Sequence, residues 1–223
     1  GSSGIGKSLA NKLVEEGHKV FATYYEHAVE EASKNITYNR LNVMDEVLDL
    51  SFLPDQLDGI AYCPGSINLK PFARIKPEDF QADFSLQVVG AIKVLQAIAP
   101  RLKTSENASV VFFSTVAVRL GFNFHSQVSA SKGAIEGLTR SLAAEWAPQI
   151  RVNCIAPSIT DTPLASKLLG TDEKKEANAQ RHPLKKIGTP EDIAAMAAFL
   201  LSDQSSWMTG QILNLDGGLS SIK

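Results

Sequence analysis

The sequence predicts an α/β fold, a parallel sheet with helices on both of its faces. Short β-branched and aromatic runs alternate with longer helical patterns along the chain, which is the signature of repeated strand–helix–strand units. Several of the short runs are apolar throughout, as strands buried on both faces must be. The helical patterns also carry readable ends.

The elements follow in order. GSSGIGKSLA is a glycine-rich turn running into an amphipathic helix over 5–16, with Gly17 as its C-cap. KVFATY (19–24) reads as a strand, 26–34 as a helix and ITYNRL (36–41) as a strand. DGIAYC (58–63) is the next strand, and one long helix is expected over 78–102. SVVFFS (109–114), a helix over 127–146 and RVNCIA (151–156) follow. The helix over 190–202 has Thr189 at its N-cap, Pro190 first in the helix, and Glu191 and Asp192 in the first turn. ILNLD (212–216) closes the set of strands. With no internal repeat and no low-complexity linker, 1–223 is expected to be one domain.

Composition narrows the function. The chain is 223 residues long, 44% hydrophobic and 21% charged, with a formal charge of −2. Its Lys and Arg are scattered, which argues against a nucleic-acid or membrane-surface partner. The longest apolar runs are strand-sized, so no transmembrane helix is expected, and the start does not read as a signal peptide. Cys63 and Cys154 lie far apart in apolar segments, as expected for reduced core thiols in a cytoplasmic protein. No CxxC motif or His/Cys cluster suggests a metal.

The opening loop matters most. GSSG also matches a purification-tag remnant, but Ile5 and Gly6 extend the glycine pattern directly into a helix. Such a loop presents unpaired backbone N–H groups at a helix N-terminus, where pyrophosphate binds. A sheet built around it needs a strand just before it, and that strand is expected to be absent from the sequence as given.

Three stretches together resemble the short-chain dehydrogenase/reductase family. The first is Gly1-Ser2-Ser3-Gly4-Ile5-Gly6, similar to the tail of that family's TGxxxGxG loop. The second is IRVNCIAPSITDTPLA (150–165), similar to RVNxIxPGxxxT with Ser158 where glycine is usual. The third is PLKKIGTPEDIAAMAAFLLSDQSSWMTGQILNLDGG (183–218), which matches the family's C-terminal pattern over its whole length. The resemblance implies a Rossmann-type doubly wound sheet of seven strands. It also implies a nicotinamide dinucleotide across the strand ends and hydride transfer between it and an alcohol or carbonyl.

It further implies a set of site residues. A tyrosine normally donates the proton, a lysine one turn later holds the nicotinamide ribose and lowers the tyrosine pKa, a serine binds the substrate oxygen, and an asparagine supports the lysine. Lys132 in SASKG takes the lysine's place, and Val128 stands where the tyrosine belongs. Thr115 falls on the serine position, with Ser114 as second choice, and Gln87 falls on the asparagine. The four tyrosines are Tyr24, Tyr25, Tyr38 and Tyr62, all earlier in the chain. A replacement donor is therefore sought among His125, Ser126, Ser129 and Lys132, or a water held by Thr115 and Lys132.

The expected cofactor-binding residues are Ser2, Ser3, Gly4, Ile5, Gly6, Tyr24, Tyr25, Asn42, Val43, Pro64, Gly65, Lys132, Pro157, Ser158, Ile159 and Thr162. In place of NNAG the chain has Tyr62-Cys63-Pro64-Gly65, with the Tyr62 ring expected near the cofactor groove; Asn42 replaces an adenine-contacting aspartate. Tyr24-Tyr25 at the second family strand carries neither the acid of NAD enzymes nor the cation of NADP enzymes. NAD or NADP stays open, with a lean to NADP because no acid repels a 2′-phosphate and a counterweight in nearby Glu26.

Residues 160–188 correspond to the family's substrate lid, polar here (TDEKKEANAQRH) and with Leu164, Leu168 and Leu169 as possible wall residues. The helices over 78–102 and 127–146 correspond to those through which family members pair as homodimers or homotetramers. The expected function is an NAD(P)-dependent oxidoreductase of a small molecule with a non-standard proton donor. The alternatives are a catalytically inactive dinucleotide-binding regulator or oligomer subunit, and reduction of an activated C=C.

Overall fold

Six parallel strands make up the sheet of this computed structural model, which describes residues 1–26, 29 and 34–222. β1 (Val20–Tyr24) pairs with β2 (Ile36–Arg40). β3 (Gly59–Tyr62), β4 (Ala108–Phe113), β5 (Ile150–Pro157) and β6 (Ile212–Leu215) form a second run in that order. β4 and β5 form the centre of this run, and their residues are almost all buried.

Strand alternation divides the core between two faces. Val110 and Phe112 of β4 pack with β5 residues Val152 and Cys154 on one face, while Val111, Phe113 and Ile155 point to the other. The first face is covered by α3 (Gly90–Leu102) and α5 (Ser126–Trp146), through Leu95, Ile98 and Ile135. The second is covered by α1 (Gly4–Glu15) and α7 (Pro190–Leu201), through Leu9, Ile193, Ala197 and Leu200. The alanines of α7 let that helix approach both the sheet and α1. α7 starts as its sequence predicts: Thr189 Oγ1 accepts from Asp192 N at 3.2 Å, and the Asp192 carboxylate accepts from Thr189 N at 3.0 Å.

The sheet is parted between β1 and β3, whose facing edges are not hydrogen-bonded to each other. A cavity of about 490 Å³ lies between them, lined by both edges and by Leu9, Leu13, Leu57, Val94 and Ile98. The seventh strand, expected just ahead of the glycine loop, has no counterpart among the described residues.

Three expectations are corrected. The helix over 78–102 is interrupted: α2 (Pro77–Phe84) passes through one wide π-type turn, Ser85–Val89, before α3 begins. The whole span, 77–102, is nevertheless long and apolar enough to cross a membrane by length and composition, contrary to the expectation from apolar runs. Here its apolar side (Val88, Ala91, Val94, Leu95, Ile98, Leu102) is built into the main core. Tyr62 does not face the cofactor groove. It is 6% exposed and turns toward the π-type turn ahead of α3, where its hydroxyl donates to Leu86 O at 2.7 Å. A Cβ on Gly90 would lie 2.6 Å from that oxygen, so glycine makes the room the ring needs.

The helix expected over 26–34 falls largely outside the described residues. The segment 160–188 contains a turn at Pro163–Ala165 and a helix, α6 (Asp172–Gln180), capped by Thr171.

Candidate active site

The carboxyl ends of the strands open onto a cleft of about 1190 Å³, the usual ligand site of open α/β sheets. Every residue expected to bind cofactor or take part in chemistry borders it: the glycine loop 1–6, Tyr24, Tyr25, Asn42, Val43, Pro64, Gly65, Gln87, Ser114, Thr115, His125, Val128, Lys132, Pro157, Ser158, Ile159 and Thr162. Ser126 and Ser129 do not.

At one end of the cleft is the glycine loop. Gly4 has φ +50°, a left-handed conformation natural to glycine. A Cβ there would come to 3.4 Å from Thr162, and one on Gly6 to 3.1 Å from the Gly1 backbone. The first helical hydrogen bond of α1 runs from Lys7 N to Ser3 O. The amides of Gly4, Ile5 and Gly6 therefore precede the ladder and have no helical partner. This loop has the close approach and the free donors that a dinucleotide pyrophosphate needs.

At the β1 end, Tyr24 and Arg40 are register partners, and the Arg40 guanidinium stands 5.7 Å from the Tyr25 ring centroid. Asn42 is occupied locally: its Nδ2 donates to Asp45 at 2.6 Å, and its Oδ1 accepts from Met44 N at 3.1 Å. Its amide closes its own turn on both sides, which leaves little of the side chain for an adenine ring.

The residues expected to carry the chemistry lie where β4, β5 and α5 meet. Val116 N donates to Pro157 O at 3.1 Å, which brings the Thr115 end of β4 beside Ser158. The Thr115 hydroxyl oxygen accepts from Ala117 N at 3.3 Å, so its proton stays free to donate. Ser114 instead donates to Glu136 of α5 at 2.7 Å, which commits its proton to that carboxylate. Val128 is 6% exposed and presents only methyl groups.

Lys132 lies one turn further along α5, at the inner end of the cleft. Desolvation pushes its amine down to about 8, against the attraction of Cys154, Asp83 and Cys63. No carboxylate forms an ion pair with it among the described residues. A Cβ on Gly65 would sit 3.6 Å from Lys132 Nζ and 3.4 Å from Gln87 Oε1, so both groups converge on Gly65.

Gln87 is held by a residue that the sequence did not single out. Buried Asp83 accepts from Gln87 Nε2 at 2.8 Å, from Ser131 Oγ at 2.6 Å and from Ser66 Oγ. This fixes the orientation of the Gln87 amide. Its Oε1 is left buried without a hydrogen-bond partner, on the side facing Gly65 and Lys132. A buried acceptor without a partner is costly, and it marks a place for a donor from water or ligand. The i,i+4 spacing of Asp83 and Gln87 was the available signal; Ser131 and Ser66 come from distant elements and gave none.

The other wall comes from the segment after β5. His182 is 3% exposed; its Nδ1 lies 2.8 Å from Asn178 O and its Nε2 2.8 Å from Ser158 Oγ. A carbonyl can only accept, so Nδ1 carries the proton and the Ser158 hydroxyl donates to Nε2. The imidazole thus ties α6 to the loop that follows β5. His125 points Nδ1 at Asn123 O at 2.8 Å and packs edge-on against Phe122. Phe122, Asn178, Arg181 and His182 all border the cleft and were not picked out from the sequence.

Comparison with known proteins agrees with this geometry. A family model described as enoyl-(acyl carrier protein) reductase matches residues 1–220. A tropinone reductase homolog of Arabidopsis thaliana is 32% identical, over 99% of this chain and 89% of its own length. The ligand-free aldohexose dehydrogenase of Thermoplasma acidophilum superposes with a TM-score of 0.87 at 27% identity, covering 98% of this chain and 91% of that one. The structure of ElxO with NADP bound superposes at 0.89 with 25% identity, covering 99% and 96%. With its glycine loop, strand order and lysine-bearing helix in these relations, the chain belongs to the short-chain dehydrogenase/reductase family.

Proposed function

We propose that the protein is an NAD(P)-dependent oxidoreductase of a carbonyl or alcohol in which Lys132 supplies and recovers the proton. The observation that carries this reading is the desolvated amine of Lys132, brought down to about 8 on the cleft side of a helix whose tyrosine position holds Val128. An acid works best when its pKa lies near the operating pH, and Lys132 is placed there by its surroundings.

The residues divide the work. The bound dinucleotide would supply or accept the hydride. The unpaired amides of the glycine loop, with Thr162 against Gly4, would hold its phosphates. Thr115 donates its free proton to the substrate oxygen. The Lys132 ammonium gives a proton to that oxygen during reduction and takes it back during oxidation. Gln87 Oε1, held in orientation by Asp83, accepts from the donor that reprotonates Lys132. His125 is the weaker candidate donor, because its Nδ1 is committed to Asn123 O at the more open end of α5. NADP is favoured over NAD, since Tyr24 and Tyr25 at the strand end put no acid there to repel a 2′-phosphate.

The test is a fluorescence titration of NADH and NADPH, followed by turnover on a panel of ketones and aldehydes with wild type and Lys132→Arg. Arginine keeps the charge but cannot lose a proton at these pH values. Micromolar NADPH binding by both proteins, with turnover lost only in Lys132→Arg, is the expected result. Equal turnover would remove Lys132 as the donor. Tight binding without wild-type turnover would favour an inactive dinucleotide-binding regulator, a reading supported by Val128, Gln87 and the YCPG turn departing together around one site.

A further inference from the structure

The cleft has an unusual charge pattern. Among the described residues, none that borders it is Asp or Glu, although the chain carries a formal charge of −2. Among the described residues its only Lys and Arg side chains are Lys132 and Arg181. Arg181 follows the last turn of α6 and forms no ion pair among the described residues. Its guanidinium stands 5.4 Å from the centroid of the Phe122 ring, and its Nη1 is 3.4 Å from Asn178 Oδ1. The ring contact and the hydrogen bond to Asn178 hold the guanidinium in place, and its remaining donors are available to a ligand.

Phe122 precedes His125, the residue that starts the helix bearing Val128 and Lys132. Arg181 therefore flanks the substrate side of the reaction centre, away from the glycine loop that packs against Thr162. The residues that border the cleft with them include the apolar Val116, Val128, Leu164 and Leu168. A neutral substrate gains nothing specific to charge from Arg181, whereas an oxyanion takes its fork in two parallel hydrogen bonds.

We infer that Arg181 is the anchor for an anionic substrate: the carbonyl compound carries an oxyanion, a carboxylate or a phosphate ester, joined to its reacting carbon through an apolar spacer. This rests on the proposed carbonyl chemistry for its kinetic consequence, but not for binding.

The test uses matched pairs. A series of 2-, 3-, 4- and 5-oxo acids is compared with the methyl ester of each, and dihydroxyacetone phosphate with dihydroxyacetone. Binding to the NADP⁺-loaded protein is measured by calorimetry, and NADPH-dependent reduction is measured alongside. The expected result is at least tenfold tighter binding of an anionic member over its neutral counterpart. Arg181→Gln brings acid and ester to the same level, and Arg181→Lys keeps part of the preference. The pair that shows the effect distinguishes carboxylate from phosphate. Equal binding within every pair, or a preference that survives Arg181→Gln, overturns the inference. If an anion is preferred through Arg181 but nothing is reduced, the anchor stands and the reductase reading falls. If neutral ketones are reduced as well as oxo acids, the reverse holds.

Discussion

At the floor of the cleft, Asp83, Gln87 and Ser131 are at most 5% exposed and are locked together by hydrogen bonds of 2.6–2.8 Å. At the rim, Phe122, Arg181 and His125 touch through ring contacts at 5.4 Å and remain open to water. In the floor each polar group has given up water, so each needs its partner and loses much when the partner is removed. In the rim, water replaces a lost partner, and substitution changes recognition more than folding. Reaction chemistry and substrate choice are thus assigned to regions with different tolerance for change.

The largest effect that would test this contrast is at the floor. Turnover of Lys132→Arg is expected to fall roughly 10²–10⁴-fold, the usual worth of a positioned acid. A rate within threefold of wild type would place the working donor elsewhere. Asp83→Ala strands Gln87 Nε2, Ser131 Oγ and Ser66 Oγ and is expected to destabilise the fold by about 2–4 kcal/mol. Thermal unfolding would then shift down by roughly 4–16 °C for a domain of this size. A melting temperature unchanged within 1 °C would mean that water reaches this floor.

pH separates the two regions next. If Lys132 is the donor, as proposed, reduction should decline as pH rises through about 8, while oxidation should increase over the same range. Stability moves as well. The folded pKa lies below the ordinary lysine value, so the unfolded chain binds more protons between the two. Stability from this group therefore rises with pH across that interval, from about 8 to 10.5. Lys132→Met should flatten that rise in denaturant titrations at several pH values, and an identical slope in both proteins would contradict the desolvated amine.

Smaller effects are expected at the rim. Phe122→Ala removes one cation–π contact and should cost about 0.5–1 kcal/mol of stability at most. Its consequence should appear in the KM for the preferred substrate, with kcat changed less than threefold. A collapse of kcat would show that the rim orients the reacting atoms as well.

Much of this site was legible in the sequence because its elements are local. The glycine loop, the Thr189 capping box and the place of Lys132 one turn after Val128 each depend on residues within a few positions of one another. The floor was not legible. Asp83 and Ser131 are 48 residues apart, and Asn68 and Gln127, which also bond, are 59 apart. Tyr62 was misplaced for a similar reason: the strand pattern shows that its ring alternates with its neighbours but not which face has space. Gly90, on a helix 28 positions later, provides the space. Arg181 was one charge in a polar run until α6 and the Phe122 loop were brought together.

By itself, the sequence determined the order of strands and helices, the glycine loop at the head of α1, and the lysine that the reaction centre is built around. Periodicity, capping and turn chemistry act over one or two turns of chain, and they leave their mark directly in residue order. Tertiary structure alone decided which face Tyr62 took, how the Gln87 amide was turned and that Arg181 met Phe122. Those outcomes depend on which distant surfaces share a volume, and burial makes a hydrogen bond between them obligatory only once they do.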